Sequence, residues 1–211
     1  MRFKRIRLNQ WEVRLQIGEF EAIYYIREMS TGYQIYDPHG MYFLTFSVVD
    51  WVDVFSRKIY RDILLDSLKY CISEKQLAVY GFVIMSNHMH VILRSENEKL
   101  SNIIRDFKKF TAQKILAMIQ SEPESRKEWL LHRFAWNATQ HARNSVYQFW
   151  THENHTVEIT SRRFFDQKLN YIHENPVRAG IVERAEDYIY SSAKSLTENK
   201  MVHIELKDWY G

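Results

Sequence analysis

The clearest hydrophobic pattern begins at Met41. "MYFLTFSVVDW" is a run of aromatic and β-branched residues and predicts a buried strand. The period then changes. In "SRKIYRDILLDSLKYCISEK", Ile59, Ile63, Leu64 and Leu68 recur at helical spacing, with Ser56 placed to cap the helix. "QLAVYGFVIM" and "HMHVILRS" are two further apolar strands, and the "SN" between them fits a tight turn. "KLSNIIRDFKKFTAQKILAMIQ" predicts a long amphipathic helix, with Ile103, Ile104, Phe107, Ile115 and Leu116 on or near one face. "SEPESRKEWLLHRFAWNATQHARNSVYQFW" is less regular and reads as a short helix, then a loop at "QHARNS". "TSRRFFDQKLNYIHEN" predicts a helix capped by Thr160 or Ser161 and ended by Pro176. Beyond it, "SSAKS" reads as a helical turn and "VHIELKDW" as a last strand or an extended tail.

Strand, helix, strand, strand, helix, with the two later strands joined by a tight turn, predicts an α+β fold. The expected form is a ferredoxin-like antiparallel sheet with helices on one face. Residues 1–35 stand apart: their period is irregular and they end at the turn-rich joint "MSTGYQIYDPHG". The expected division is an N-terminal extension over 1–35 and one domain over 36–211. There is no internal repeat and no low-complexity segment.

Composition narrows the class. In 211 residues, 45% are hydrophobic and 26% charged, which supports a packed core and excludes wholesale disorder. The formal charge of +3 is a mild basic lean that cannot alone assign a nucleic-acid partner. The single cysteine, Cys71, excludes a disulfide framework and a cysteine zinc cluster. No apolar run approaches the ~20 residues of a membrane helix, and the basic start lacks a signal-peptide hydrophobic region. The expectation is a cytoplasmic protein without a membrane partner.

Candidate chemistry sits in "IMSNHMHVIL". Alternate residues of a strand share a face, so His88 and His90 project together while Met89, Val91 and Leu93 point the other way. Two adjacent unpaired imidazoles are costly to bury. Metal binding and a satisfied core pair both remain open on this pattern. Further on, "LNYIHENPVRAG" puts Tyr171 and Asn175 four apart, one turn apart on a helix face. A tyrosine packed on the sheet and an asparagine ending the helix is the plainer reading of that pair.

Taken together, "SNHMHVIL" and "KLNYIHENPVRAGIV" resemble the single-tyrosine HUH transposases, in particular the REP-associated tyrosine transposases and related bacterial insertion-sequence transposases. The likeness runs from about Met41 to about Ser195. It includes "TFSVVDWVDVFSR", "GFVIMSNHMH", "LSNIIRDFKKFTAQKI" and "YQFWTHENH". It implies a transposase of the HUH-type fold that cleaves and rejoins single-stranded DNA through a covalent 5′-phosphotyrosine. By motif position, Tyr171 is the nucleophile and His88 and His90 hold a divalent metal, Mg2+ or Mn2+. Asn175 falls at the third-ligand step, where relatives from smaller insertion sequences carry glutamine. The resemblance also implies single-stranded DNA beside a hairpin as substrate and a homodimer as the working form.

The chemistry is coherent with those residue types. A cation on a nonbridging phosphate oxygen withdraws charge, and a tyrosine, with an ordinary pKa near 10, needs help to attack as phenolate. Protonating either imidazole removes the metal, so activity is expected to fall in acid. Candidate phosphate contacts are Arg105, Lys108 and Lys109 on the long helix, Arg162, Arg163 and Lys168 on the tyrosine helix, and Arg178 just after it. The alternative for each is a solvated helix face. Phe149 and Trp150 are open to base stacking or core packing, and His155 to a catalytic or DNA-contact role or a surface one. Two rival functions stand: a domesticated DNA-binding protein without transposition activity, and a metal-dependent nuclease that uses water.

Overall fold

The computed structural model of the chain describes residues 3–7, 10–17, 20–27, 35–97, 100–140 and 146–195. The chain divides into two units, Met1–Gly32 and Tyr33–Gly211. In the first unit, β1 (Phe3–Arg7), β2 (Gln10–Ile17) and β3 (Phe20–Arg27) form an antiparallel three-stranded sheet in sequence order. The β2–β3 register runs without interruption from Gln10↔Arg27 to Ile17↔Phe20. The irregular period expected here is wrong for β2: Trp11, Val13, Leu15 and Ile17 alternate with Gln10, Glu12, Arg14 and Gln16, which is the period of a strand.

The second unit holds β4 (Tyr42–Ser47), α1 (Lys58–Lys75), β5 (Leu77–Ile84), β6 (His88–Ser95), α2 (Leu100–Ser121), α3 (Lys127–Thr139), β7 (Val157–Glu158), α4 (Arg162–Arg178) and α5 (Ser192–Ser195). Its sheet is antiparallel with the order β5-β6-β4-β7. That is the α+β ferredoxin-like arrangement, with α3 and α4 added around β7. The histidine-bearing strand, β6, is an interior strand paired on both edges.

The helices were expected on one face, and they use both. Phe46 of β4 packs its ring 5.8 Å from Phe107 of α2, and α1 lies along α2 with Lys75 and Asp106 paired at 2.8 Å. Phe43 and Thr45 alternate with Phe46 and so face the opposite side, where Tyr171 of α4 meets Phe43 at 5.9 Å between centroids. α4 rests on β5, where Gly81 makes the close approach possible. A Cβ there would lie 2.5 Å from Leu169 Cδ1. The core joins both faces and takes in Phe149 and Trp150, which pack there as buried residues. Cys71 is also buried, and its thiol is pushed up to about 11 by burial.

Local signals differ at three ends. Ser161 caps α4, accepting a hydrogen bond from the Phe164 amide. Pro176 does not end that helix, which continues to Arg178. A proline so near the C-terminus forfeits a single ladder bond, and the last turn closes by Ala179 N–H to Asn175 O and Gly180 N–H to Val177 O. Ser56 is not the cap of α1. Arg57 holds that position without a side-chain bond, and the Ser56 hydroxyl donates to Asp53 O instead. "SSAKS" does form a helical turn, α5. "VHIELKDW" and most of "QHARNS" lie outside the described residues. Among the described residues, no helix is long and apolar enough to cross a membrane.

Candidate active site

β6 begins with the two histidines. Their rings lie 4.7 Å apart between centroids, on one side of the sheet. Each has a partner on its Nδ1: Asn87 Oδ1 at 2.6 Å for His88, and Thr45 Oγ1 at 2.8 Å for His90. An amide oxygen only accepts, so His88 Nδ1 carries the proton and its Nε2 carries the lone pair. The Thr45 hydroxyl allows the same tautomer for His90. A hydrogen bond on one ring nitrogen that frees and orients the other is how imidazole ligands are held. Burial pushes the histidines down to about 4 for His88 and about 3 for His90. For His90, the nearby charges of His88, Lys168, Arg178 and His155 add to the effect of burial. Both imidazoles are therefore neutral at pH 7, the form that binds a cation.

Tyr171 stands over this pair. Its ring is 5.2 Å from the His90 ring in an edge-to-face arrangement and is 39% exposed. Two cations flank it. The Lys168 ammonium lies 4.7 Å from the centre of the Phe43 ring and 5.9 Å from that of Tyr171. The Arg178 guanidinium lies 4.4 Å over Tyr171 and donates to the Tyr171 carbonyl at 2.9 Å. α4 thus delivers the hydroxyl-bearing ring and two positive charges to the histidine face.

Asn175 lies one turn beyond Tyr171 and is half-buried, with no side-chain hydrogen bond among the described residues. No group of three or more His, Cys, Asp or Glu side chains among the described residues is placed to hold a metal. A cation here would rest on two imidazoles, which alone would suit zinc, and on oxygen from an amide, phosphate or water, which suits magnesium or manganese.

The other basic candidates separate. Arg105, Lys108 and Lys109 line a groove between α2 and the segment Val146–Asn154, away from Tyr171. Lys108 is committed within the fold: its amine donates to Thr151 O at 2.9 Å and Asn154 Oδ1 at 2.7 Å, and burial pushes it down to about 7. Arg105 pairs with Asp106, and Arg162 with Asp166. Arg163 and Lys109 are exposed. Local sequence had not singled out Thr45, Asn87 or Phe43. Thr45 and Phe43 enter through register, since Thr45 pairs with His90 and Phe43 with Ile92 across β4 and β6.

The chain matches the family described as "Transposase IS200 like" over residues 40–175. No curated protein sequence matches it. Among solved structures it is similar to a REP-associated tyrosine transposase bound to a REP hairpin. That match has a TM-score of 0.55 and 16% identity, covering 86% of this chain and 95% of that one. A crystal structure of a transposase from Deinococcus radiodurans R1 aligns with a TM-score of 0.39 and 15% identity, covering 64% of this chain and 88% of that one. The first likeness is one of fold. The match over 40–175 takes in His88, His90, Tyr171 and Asn175, and the chain belongs to the IS200-like transposase family.

Proposed function

We propose that this transposase cleaves and rejoins single-stranded DNA through a phosphotyrosine on Tyr171. The observation that carries the reading is the edge-to-face contact of Tyr171 with His90 at 5.2 Å within one chain. The Tyr171 oxygen attacks phosphorus, and the bond from phosphorus to the 3′ oxygen breaks. The phenol proton passes to solvent, and the leaving 3′ oxygen takes up a proton. The DNA 5′-phosphate is then held on Tyr171, and the same steps in reverse join it to a 3′-hydroxyl. The bond energy is conserved throughout, so strand transfer needs no external energy source.

Lys168 and Arg178 set positive charge against the Tyr171 ring, where it favours the phenolate. His88 and His90 would hold a divalent cation, Mg2+ or Mn2+, through their Nε2 atoms, with Asn175 as the third ligand. When bound, that cation supplies Lewis-acid charge at a nonbridging phosphate oxygen. Arg105, Lys109, Arg162 and Arg163 are the outlying phosphate contacts, on exposed positions. A single-stranded substrate beside a hairpin is supported by the structural relative, which is bound to a REP hairpin. A homodimer is the proposed working form, each chain carrying both halves of its site.

The test is incubation with a library of single-stranded oligonucleotides and Mn2+, scored for covalent protein–DNA adducts. The adduct should form with the intact chain and vanish with Tyr171→Phe. Cleavage without an adduct would transfer the reaction to water and sink the proposal.

A further inference from the structure

We propose that Trp51 is a stacking platform for an unpaired nucleobase next to the phosphate that Tyr171 attacks, an inference that rests on the single-strand reading above. Trp51 lies in the loop that follows β4. Its ring stands 5.7 Å from that of His88, at 73°. It is 60% exposed, beside the candidate metal pair. Singly exposed aromatics are common on protein surfaces, so exposure alone decides nothing.

The backbone distinguishes this one. Asp50 and Trp51 both adopt φ of 53°, in the left-handed region. Two consecutive side-chain-bearing residues there are sterically costly, and a bulky one is an outlier. Such strain persists only when surrounding contacts over-determine it. Here they do. Asp50 Oδ2 accepts from Asn137 Nδ2 at 2.8 Å and lies 3.7 Å from Arg133 Nε. Val49 N–H donates to Phe149 O at 2.9 Å, and Trp51 O accepts from Asn87 Nδ2 at 3.1 Å. None of these ties uses the indole. The loop is strained and pinned in order to hold a side chain that gains little burial for itself.

Asn87 gives the arrangement its purpose. Its Nδ2 holds the Trp51 carbonyl while its Oδ1 holds His88 Nδ1. One amide therefore ties the backbone that carries the indole to the imidazole. An indole in that position stacks on any base, because every base has a π-face. It supplies affinity and register without sequence readout. A base inside a duplex is already stacked on both sides, so the platform favours unpaired DNA.

The test uses the full-length Tyr171→Phe chain, which binds without turnover, and labelled oligothymidylate as the probe, read by fluorescence anisotropy. Adding Trp51→Ala should weaken binding roughly 5- to 100-fold. Trp51→Phe should restore most of it, and binding to a fully paired duplex should change little. An oligonucleotide scan with one abasic position at a time should show one site whose loss costs affinity in the Trp51 chain and costs nothing in Trp51→Ala. Equal affinity for Trp51→Ala and its parent would overturn the proposal. So would losses that add at every abasic position. Where the alanine variant folds poorly, Trp51→Leu serves in the same scan: it keeps an apolar side chain without a π-face and should show no privileged abasic position. A failure of the Tyr171 chemistry appears separately, as no adduct with the unmodified chain.

Discussion

The Nδ1 of His90 is 2.8 Å from Thr45 Oγ1, and that hydroxyl decides which way the ring faces. Removing a partner of this kind costs about 10- to 100-fold in metal affinity. Thr45→Val keeps the shape and removes the partner, so calorimetric Mn2+ titration should show a loss of that size while the fold is kept. The pH response is equally specific. Burial holds His88 near 4 and His90 near 3, so their protons compete with the metal only well below the ordinary imidazole range. Mn2+ affinity should stay level from pH 7 to about 5.5 and collapse toward pH 4. Loss already at pH 6 would show that the pair is not shielded. The acid sensitivity expected from two histidines therefore moves down the scale, for a reason that sequence does not display. The pair itself was legible, since a period of two puts both rings on one face. Thr45 was not, because strand register is a property of two distant segments.

At the scale of the element, α4 governs whether Tyr171 reaches the histidines. Its start was legible in the cap: Ser161 receives the Phe164 amide as expected. Its end was not, because Pro176 normally halts a helix and here costs so little so late in it. The seat of α4 on β5 depends on the missing side chain of Gly81, with Leu169 Cδ1 at 2.5 Å, Ser192 Oγ at 3.6 Å and Ile172 Cδ1 at 3.8 Å from a Cβ built there. Gly81→Val must displace Leu169 or lift the helix. The expected cost is about 1–3 kcal/mol from overpacking, read by urea unfolding. Adduct formation should fall further than Mn2+ affinity, because Tyr171 moves and the strand does not. A variant that loses both equally would show that the helix and the histidine strand move as one.

Across the whole molecule, the order from β4 to α2, and α4 after it, was legible because those segments each keep one period; β7, two residues long, was too short to show one. The second helix-bearing face was not, since nothing local says which side of a sheet a later helix will cover. The N-terminal sheet also escaped, although the alternation in "QWEVRLQI" was there to be read. The sequence pattern sets residues 1–35 apart as an appendage; the chain divides at Gly32, and the unit Tyr33–Gly211 contains the buried core described above. A chain beginning at Tyr33 should fold cooperatively and keep adduct formation with Mn2+. An unfolded product by circular dichroism would refute that independence. The interior place of β6 has a kinetic meaning too. Its amides are paired on both edges, so deuterium should enter Met89–Leu93 only when the whole domain opens. α4 lies on the sheet and can release without breaking any strand pairing, so its amides should exchange sooner. On the proposed chemistry, Tyr171 is then carried by a part that can leave the histidine strand on its own clock, which would give time to exchange one DNA end for another while the strand beneath stays set.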